Sequence, residues 1–245
     1  MMQAGNGFDA AEVPAPIGLG ARIVGILASP RVTFERVIAD PRWIGVLALG
    51  VGAVAVLSSA LMSTEFAQRA ILDQQIASLE ASGQPASDEA YERMEEFGRY
   101  TPYFTFASVL LTIPITCLIL AGLLQVVGYG LLGAGTNFVQ TFAVVAHAGV
   151  VFVAQQLFVV PLNYAREAIT SPSTLAAFAP MLDEDAFAYK LLSSVDLFYV
   201  WWVMILSIGL AVLWKRRTAP IATALYATYA GIVLIIAVAR TNLGF

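Results

Sequence analysis

His147 is the single histidine of the chain and stands near the centre of an apolar run, Phe138–Val160. A charge held at mid-bilayer costs about 2.5–3.5 kcal/mol even on a lenient insertion scale, so ionisable and strongly polar residues in such runs are the first candidates for function. Asp196 lies at the outer end of another apolar run, within reach of water or headgroups, and Gln125, Gln140 and Gln155 complete the intramembrane polar candidates. At helical spacing His147 shares a face with Gln140, Ala143, Val151 and Ala154. Such an imidazole can relay a proton, ligate a metal or hydrogen-bond to a neighbouring helix, the last being ordinary glue in membrane proteins.

The rest of the chain gives the first two chemistries little support. Zinc wants three or four converging ligands, and one histidine with one distant cysteine, Cys117, does not supply them. A nucleophilic hydrolase needs a base beside its nucleophile, and no histidine pairs recognisably with Ser207 or Cys117. His-Glu-x-x-His, Gly-Lys-Ser/Thr and Gly-x-Gly-x-x-Gly patterns are missing, as is a basic stretch interleaved with aromatics for nucleic acid. Ion-coupled transport usually leaves a carboxylate at the midplane, and none is seen. The expectation is a non-enzyme with no cofactor, no metal and no nucleic-acid partner.

The elements that must position these residues are transmembrane helices. Of 245 residues 59% are hydrophobic and 12% charged, about half the charge of a typical water-soluble domain, and the mean hydropathy is +0.77. The expected fold is all-α, a polytopic transmembrane bundle of five spans at about 43–62, 103–132, 138–160, 195–214 and 221–239. Gly45, Ala48, Gly52 and Ala55 give the first span a small-residue face suited to close helix approach. Pro114 should kink the second. Asn137 with Gln140 resembles a capping box opening the third, and Pro161 should close it. Phe198, Tyr199, Trp201 and Trp202 mark the outer collar of the fourth span and Trp214 its inner end.

Outside the spans, residues 1–28 read as a loosely ordered tail, neither secretory signal nor transit peptide, and 29–245 as one membrane domain. Ser29-Pro30 and Asp40-Pro41 both have the form of a helix N-cap followed by proline, so helices should start at Pro30 and Pro41. The first, with Phe34, Val37 and Ile38 on one side, suits the membrane interface. Residues 64–100 carry eight carboxylates against Arg69, Arg93 and Arg99 and should form an external helical hairpin broken at Ser82–Pro85, its second helix capped by Ser87 or Asp88.

Lys215-Arg216-Arg217 on a short connection is a strong positive-inside signal. With five spans it places the N-terminus in the cytoplasm, together with Arg22, Arg31, Arg36 and Arg42, and the C-terminus outside with both acidic segments.

Ser29-Pro30-Arg31-Val32-Thr33-Phe34 followed by Asp40-Pro41-Arg42-Trp43 resembles the start of bacterial members of the Yip domain family, whose eukaryotic relatives are Ypt/Rab-GTPase-interacting membrane proteins. Gly135-Thr136-Asn137-Phe138-Val139-Gln140-Thr141-Phe142 is similar to the start of that family's third span, and Gly128-Tyr129 to its recurring Gly-Tyr stretch, with Gly133 where a proline is usual. The resemblance runs from about Leu27 to Ala239. It implies a multi-pass protein of the bacterial inner membrane without known catalysis, an adaptor or organiser partnered by lipid, by another membrane protein or by a second copy. The family's Asp-Leu-Tyr-Gly-Pro stretch is only faintly echoed at Asp40–Trp43, so a GTPase-recruiting role is not carried over. A rival reading is a small-solute permease lined by Thr116, Gln125, Gln140, His147 and Gln155, which requires those side chains to converge on one cavity.

Overall fold

A computed structural model describes residues 18–81, 83, 87–183 and 185–243. Most of the expected tail, residues 1–17, and most of the expected break at 82–85 lie outside these. From Leu19 onward the tail expectation gives way to helix: α1 (Leu19–Ala28) and α2 (Pro30–Ala39) form an antiparallel pair, with Pro30 in the first turn of α2 as the sequence requires. Ser29 makes no side-chain cap; instead Thr33 Oγ1 donates to the Ser29 carbonyl, 3.0 Å away.

The apolar face of α2 meets protein. Phe34 and Val37 are fully buried, because α2 lies across α10 (Leu197–Leu213) and α7 (Phe138–Ala148), and Ile26 of α1 is buried in the same core. Gly209 makes that approach close enough: a Cβ there would lie 2.7 Å from Val144 Cγ1 and 2.9 Å from Phe34 Cζ. The second expected helix start is displaced. The helix α3 (Ile44–Met62) begins three residues beyond Pro41, since the Asp40 carboxylate is held by Arg22 and Arg42 instead of capping.

The α3 helix packs chiefly on α6 (Thr101–Gln125), and its buried residues include Val51, Val54 and Ala55. Gly45 and Ala48 of the expected small-residue face are exposed, and nothing lies within 4 Å of a Cβ on Gly52. Between them α4 (Glu65–Ala81) and α5 (Asp88–Gly98) pack on each other as a hairpin, with Ser87 capping α5 through the Ala90 N–H at 3.2 Å. Ion pairs Glu65–Arg69 and Glu89–Arg93 line its exposed faces.

Pro114 sits inside α6, which runs on into a π-helical turn, Val126–Leu131, for 31 residues in all. Gly133 follows at φ +63°, which a proline ring at about −65° cannot adopt. The capping box is present: Asn137 Oδ1 accepts from Gln140 N at 2.9 Å, and Gln140 Oε1 from Asn137 N at 3.3 Å. Pro161 does not end the third run. After a turn at Gly149, α8 (Val150–Arg166) carries it through to Arg166, closed by Glu167 in the left-handed region. The short α9 (Phe187–Ser193) and α10 follow, and α11 (Thr218–Leu243) closes the chain.

Among the described residues four helical stretches are long and apolar enough to cross a membrane: α3, α6 with its π turn, α7–α8 and α11. The α10 helix has 17 residues, about 25 Å at 1.5 Å per residue against a hydrocarbon core of about 30 Å. It nevertheless joins the two ends of the bundle. Asp196 at its start contacts Gln155 and the 171–173 loop, and Arg216 just past its finish donates to the Leu132 carbonyl.

Candidate functional site

The five polar candidates are divided among three levels along the bundle. At the end bearing Lys215–Arg217, here the basic end, Gln125 bridges two elements: Nε2 donates to the Thr136 carbonyl at 2.8 Å and Oε1 accepts from Thr141 Oγ1 at 2.5 Å. Gln140, besides its capping bond, donates from Nε2 to the Ile38 carbonyl at 3.2 Å, tying α7 to the C-terminus of α2. Close by, Arg22 is buried to 3% exposure and reaches Asp40 Oδ2 at 3.2 Å and the Asp40 carbonyl at 3.1 Å.

His147 sits on α7 between the two ends of the bundle and is fully buried. Its Nδ1 lies 2.7 Å from the Ala143 carbonyl, which can only accept, so Nδ1 carries the proton. Nε2 is then a lone-pair acceptor, buried without a partner among the described residues, with the Arg22 guanidinium in electrostatic reach. The bond runs within α7, not to another helix as the sequence suggests.

At the opposite end Asp196 gathers four parts of the chain. Oδ1 accepts from Phe198 N at 2.8 Å and so caps α10. Oδ2 accepts from Gln155 Nε2 at 3.1 Å and from Ser173 Oγ at 2.5 Å. The Ser171 hydroxyl lies 3.3 Å from Oδ2 and 2.9 Å from Ser173 Oγ, its proton serving either. The Asp196 N–H donates to Tyr229 Oη at 3.2 Å, which brings in α11. Backbone bonds Leu175 N to Val195 O and Leu197 N to Ser173 O close a small bridge around the carboxylate. Three or four neutral donors thus nearly fill a carboxylate's acceptor capacity, leaving it little to offer a substrate. Sequence reasoning named Gln155 and Asp196 but missed Ser171, Ser173 and Tyr229, which reach the aspartate across 23 to 33 residues with no local signal to mark them.

Between α3, α6, α8 and α10 runs an apolar crevice of about 340 Å³. It exists because α6 packs on α3 and α7 more than on α8, while Phe152, Tyr199 and Trp202 form a ring cluster on the far wall. Thr112, Thr116, Cys117 and Gln155 border it; Gln125, Gln140 and His147 do not. The convergence required of a permease path is therefore not found. Among the described residues no three His, Cys, Asp or Glu side chains are grouped to hold a metal.

These features define a class: an all-helical, polytopic membrane protein whose buried polar side chains are largely engaged in holding its own backbone and helices. The Yip1 domain family model matches residues 24–240. The chain belongs to that family, as the proline-punctuated start and the Asn137 cap resemble, and members of the family are generally non-enzymatic membrane proteins. No match is found among curated proteins or among solved structures.

Proposed function

We propose that this chain is a non-catalytic scaffold of the bacterial inner membrane that organises a partner membrane protein or a second copy of itself. Five crossings, with the N-terminus and Lys215–Arg217 in the cytoplasm and the C-terminus outside, complete the reading. The observation that carries it is the contrast in burial among the long helices. In the most apolar window of α7–α8, 44% is buried inside the protein, against 11% for α6 and 17% for α11. Leu111, Ile115, Ile119 and Leu123 recur along one stripe of α6, all exposed. Helices so little covered by their own bundle offer lipid or a partner helix a long packing surface, and helix association in membranes rests on such packing.

Site-directed crosslinking in native membranes tests the proposal. With Cys117 replaced by Ala, single cysteines at 111, 115, 119 and 123 should give a discrete crosslinked species at helical periodicity, while cysteines at buried positions 51 and 54 should give none. A protein that stays uncrosslinked at every outward position and purifies as a lone monomer would remove the scaffold reading.

A further inference from the structure

At the basic end an open cleft of about 840 Å³ separates the exposed side of α2 from the α10–α11 turn. Arg31 and Glu35 stand on one wall, Lys215 and Arg217 on the other, and Ile38 and Val212 contribute apolar surface between them. Arg216 also borders it and donates to the Leu132 carbonyl at 3.3 Å. Four cations therefore face one carboxylate. That carboxylate does little to quench them: Arg31 and Glu35 are 3.8 Å apart with both side chains more than half exposed. Among the described residues Lys215 and Arg217 take part in no ion pair. The positive end of the α11 dipole opens into the same space at Thr218.

We propose that this cleft binds the phosphate of an anionic phospholipid headgroup, with Arg31 and Arg217 gripping its oxygens from opposite walls. Arginine suits that task because its planar fork donates two parallel N–H bonds to phosphate. The chemistry of a phosphate group is shared by free phosphate and by lipid, and two features favour lipid. Ile38 and Val212 give the cleft an apolar side that a glycerol backbone and its first methylenes can cover. The cleft also lies where the apolar helices α10 and α11 meet, and basic clusters beside membrane-crossing helices attract anionic lipid. Occupancy would brace α2 against the α10–α11 turn.

Titration of the full-length protein in neutral detergent with three probes tests this: short-chain phosphatidylglycerol, phosphatidylcholine with the same chains, and inorganic phosphate. Phosphatidylglycerol should bind tightest, and Lys215→Gln with Arg217→Gln should weaken it by about fivefold per cation removed. Glu35→Gln should tighten binding, a change a merely structural role would not produce. Arg69→Gln with Arg93→Gln, at the other end of the molecule, should leave it unchanged. If the 215/217 variant unfolds, Arg31→Gln on the opposite, exposed wall carries the same expectation. Equal binding of the two lipids, or affinity unmoved by Arg31→Gln and by Glu35→Gln, overturns the proposal. Inorganic phosphate binding as tightly as phosphatidylglycerol overturns the lipid assignment.

Discussion

Phe34 of α2 presses the tip of its ring against Gly209 of α10, so that a Cβ on the glycine would stand 2.9 Å from Cζ. Through this contact two helices lying ahead of the first long apolar segment become part of the core. Phe34, Val37 and Ile26 are as fully buried as Leu210 in α10. The N-terminal helices therefore brace the bundle from its basic end.

Gly209→Ala should lower the melting temperature in detergent, since overpacking a filled site costs about 1–3 kcal/mol. Phe34→Leu in the same chain should restore only part of the loss, because Val144 Cγ1 crowds the same Cβ from α7 at 2.7 Å. Full restoration would show that the α7 contact is unimportant.

Asp196→Ala should remove the acceptor shared by Gln155, Ser173 and the α10 cap, leaving the buried Ser173 hydroxyl unpaired at about 1–3 kcal/mol and the part-buried donors at less. Hydrogen exchange should rise in residues 171–178 and at the start of α10, with α3 unaffected. Unchanged protection in the 171–178 loop would argue against the carboxylate as its anchor.

Arg22→Ala should loosen α1, since the guanidinium is buried and bonds the Asp40 carboxylate and carbonyl together. Asp40 is 35% exposed at its side chain, so the loss should fall below the about 3–5 kcal/mol typical of a fully buried pair. Limited proteolysis reads it directly: cutting near Ala28 should accelerate in the variant, and Arg22→Lys should not fully protect, lacking the fork that spans both acceptors.

His147→Leu should change stability by less than about 1 kcal/mol or raise it, because among the described residues the bond lost is internal to α7 and Nε2 has no partner. Thermal melting decides. A loss of several degrees would mean that Nε2 has an acceptor role in the folded protein.

Features governed by neighbours in sequence were legible. The Asn137–Gln140 box, the Ser87 cap and the long apolar runs each depend on spacings of four residues or fewer, or on bulk hydropathy. Three local signals did not hold in the fold. Asp40 has the sequence form of a cap but serves Arg22 across 18 residues; Pro161 is carried inside α8; and of the small-residue face of α3 only Ala55 is fully buried, beside Val51 and Val54. Within the site Gln155 and Asp196 were both nameable, yet their pairing over 41 residues leaves no trace in local pattern. The burial of α1 and α2 was equally hidden, because an apolar face on a short helix reads the same whether lipid or α10 covers it.

The account rests on a two-ended molecule, with α2 and the Lys215–Arg217 turn together at one end and the acidic hairpin at the other. Cysteine accessibility in sealed, oriented vesicles tests it most directly, using single cysteines at positions 31, 216 and 73 in a chain lacking Cys117. Positions 31 and 216 should label from the same side, and position 73 only from the other. Labelling of 31 and 216 from opposite sides would contradict both the fold of the basic end and the headgroup cleft built upon it.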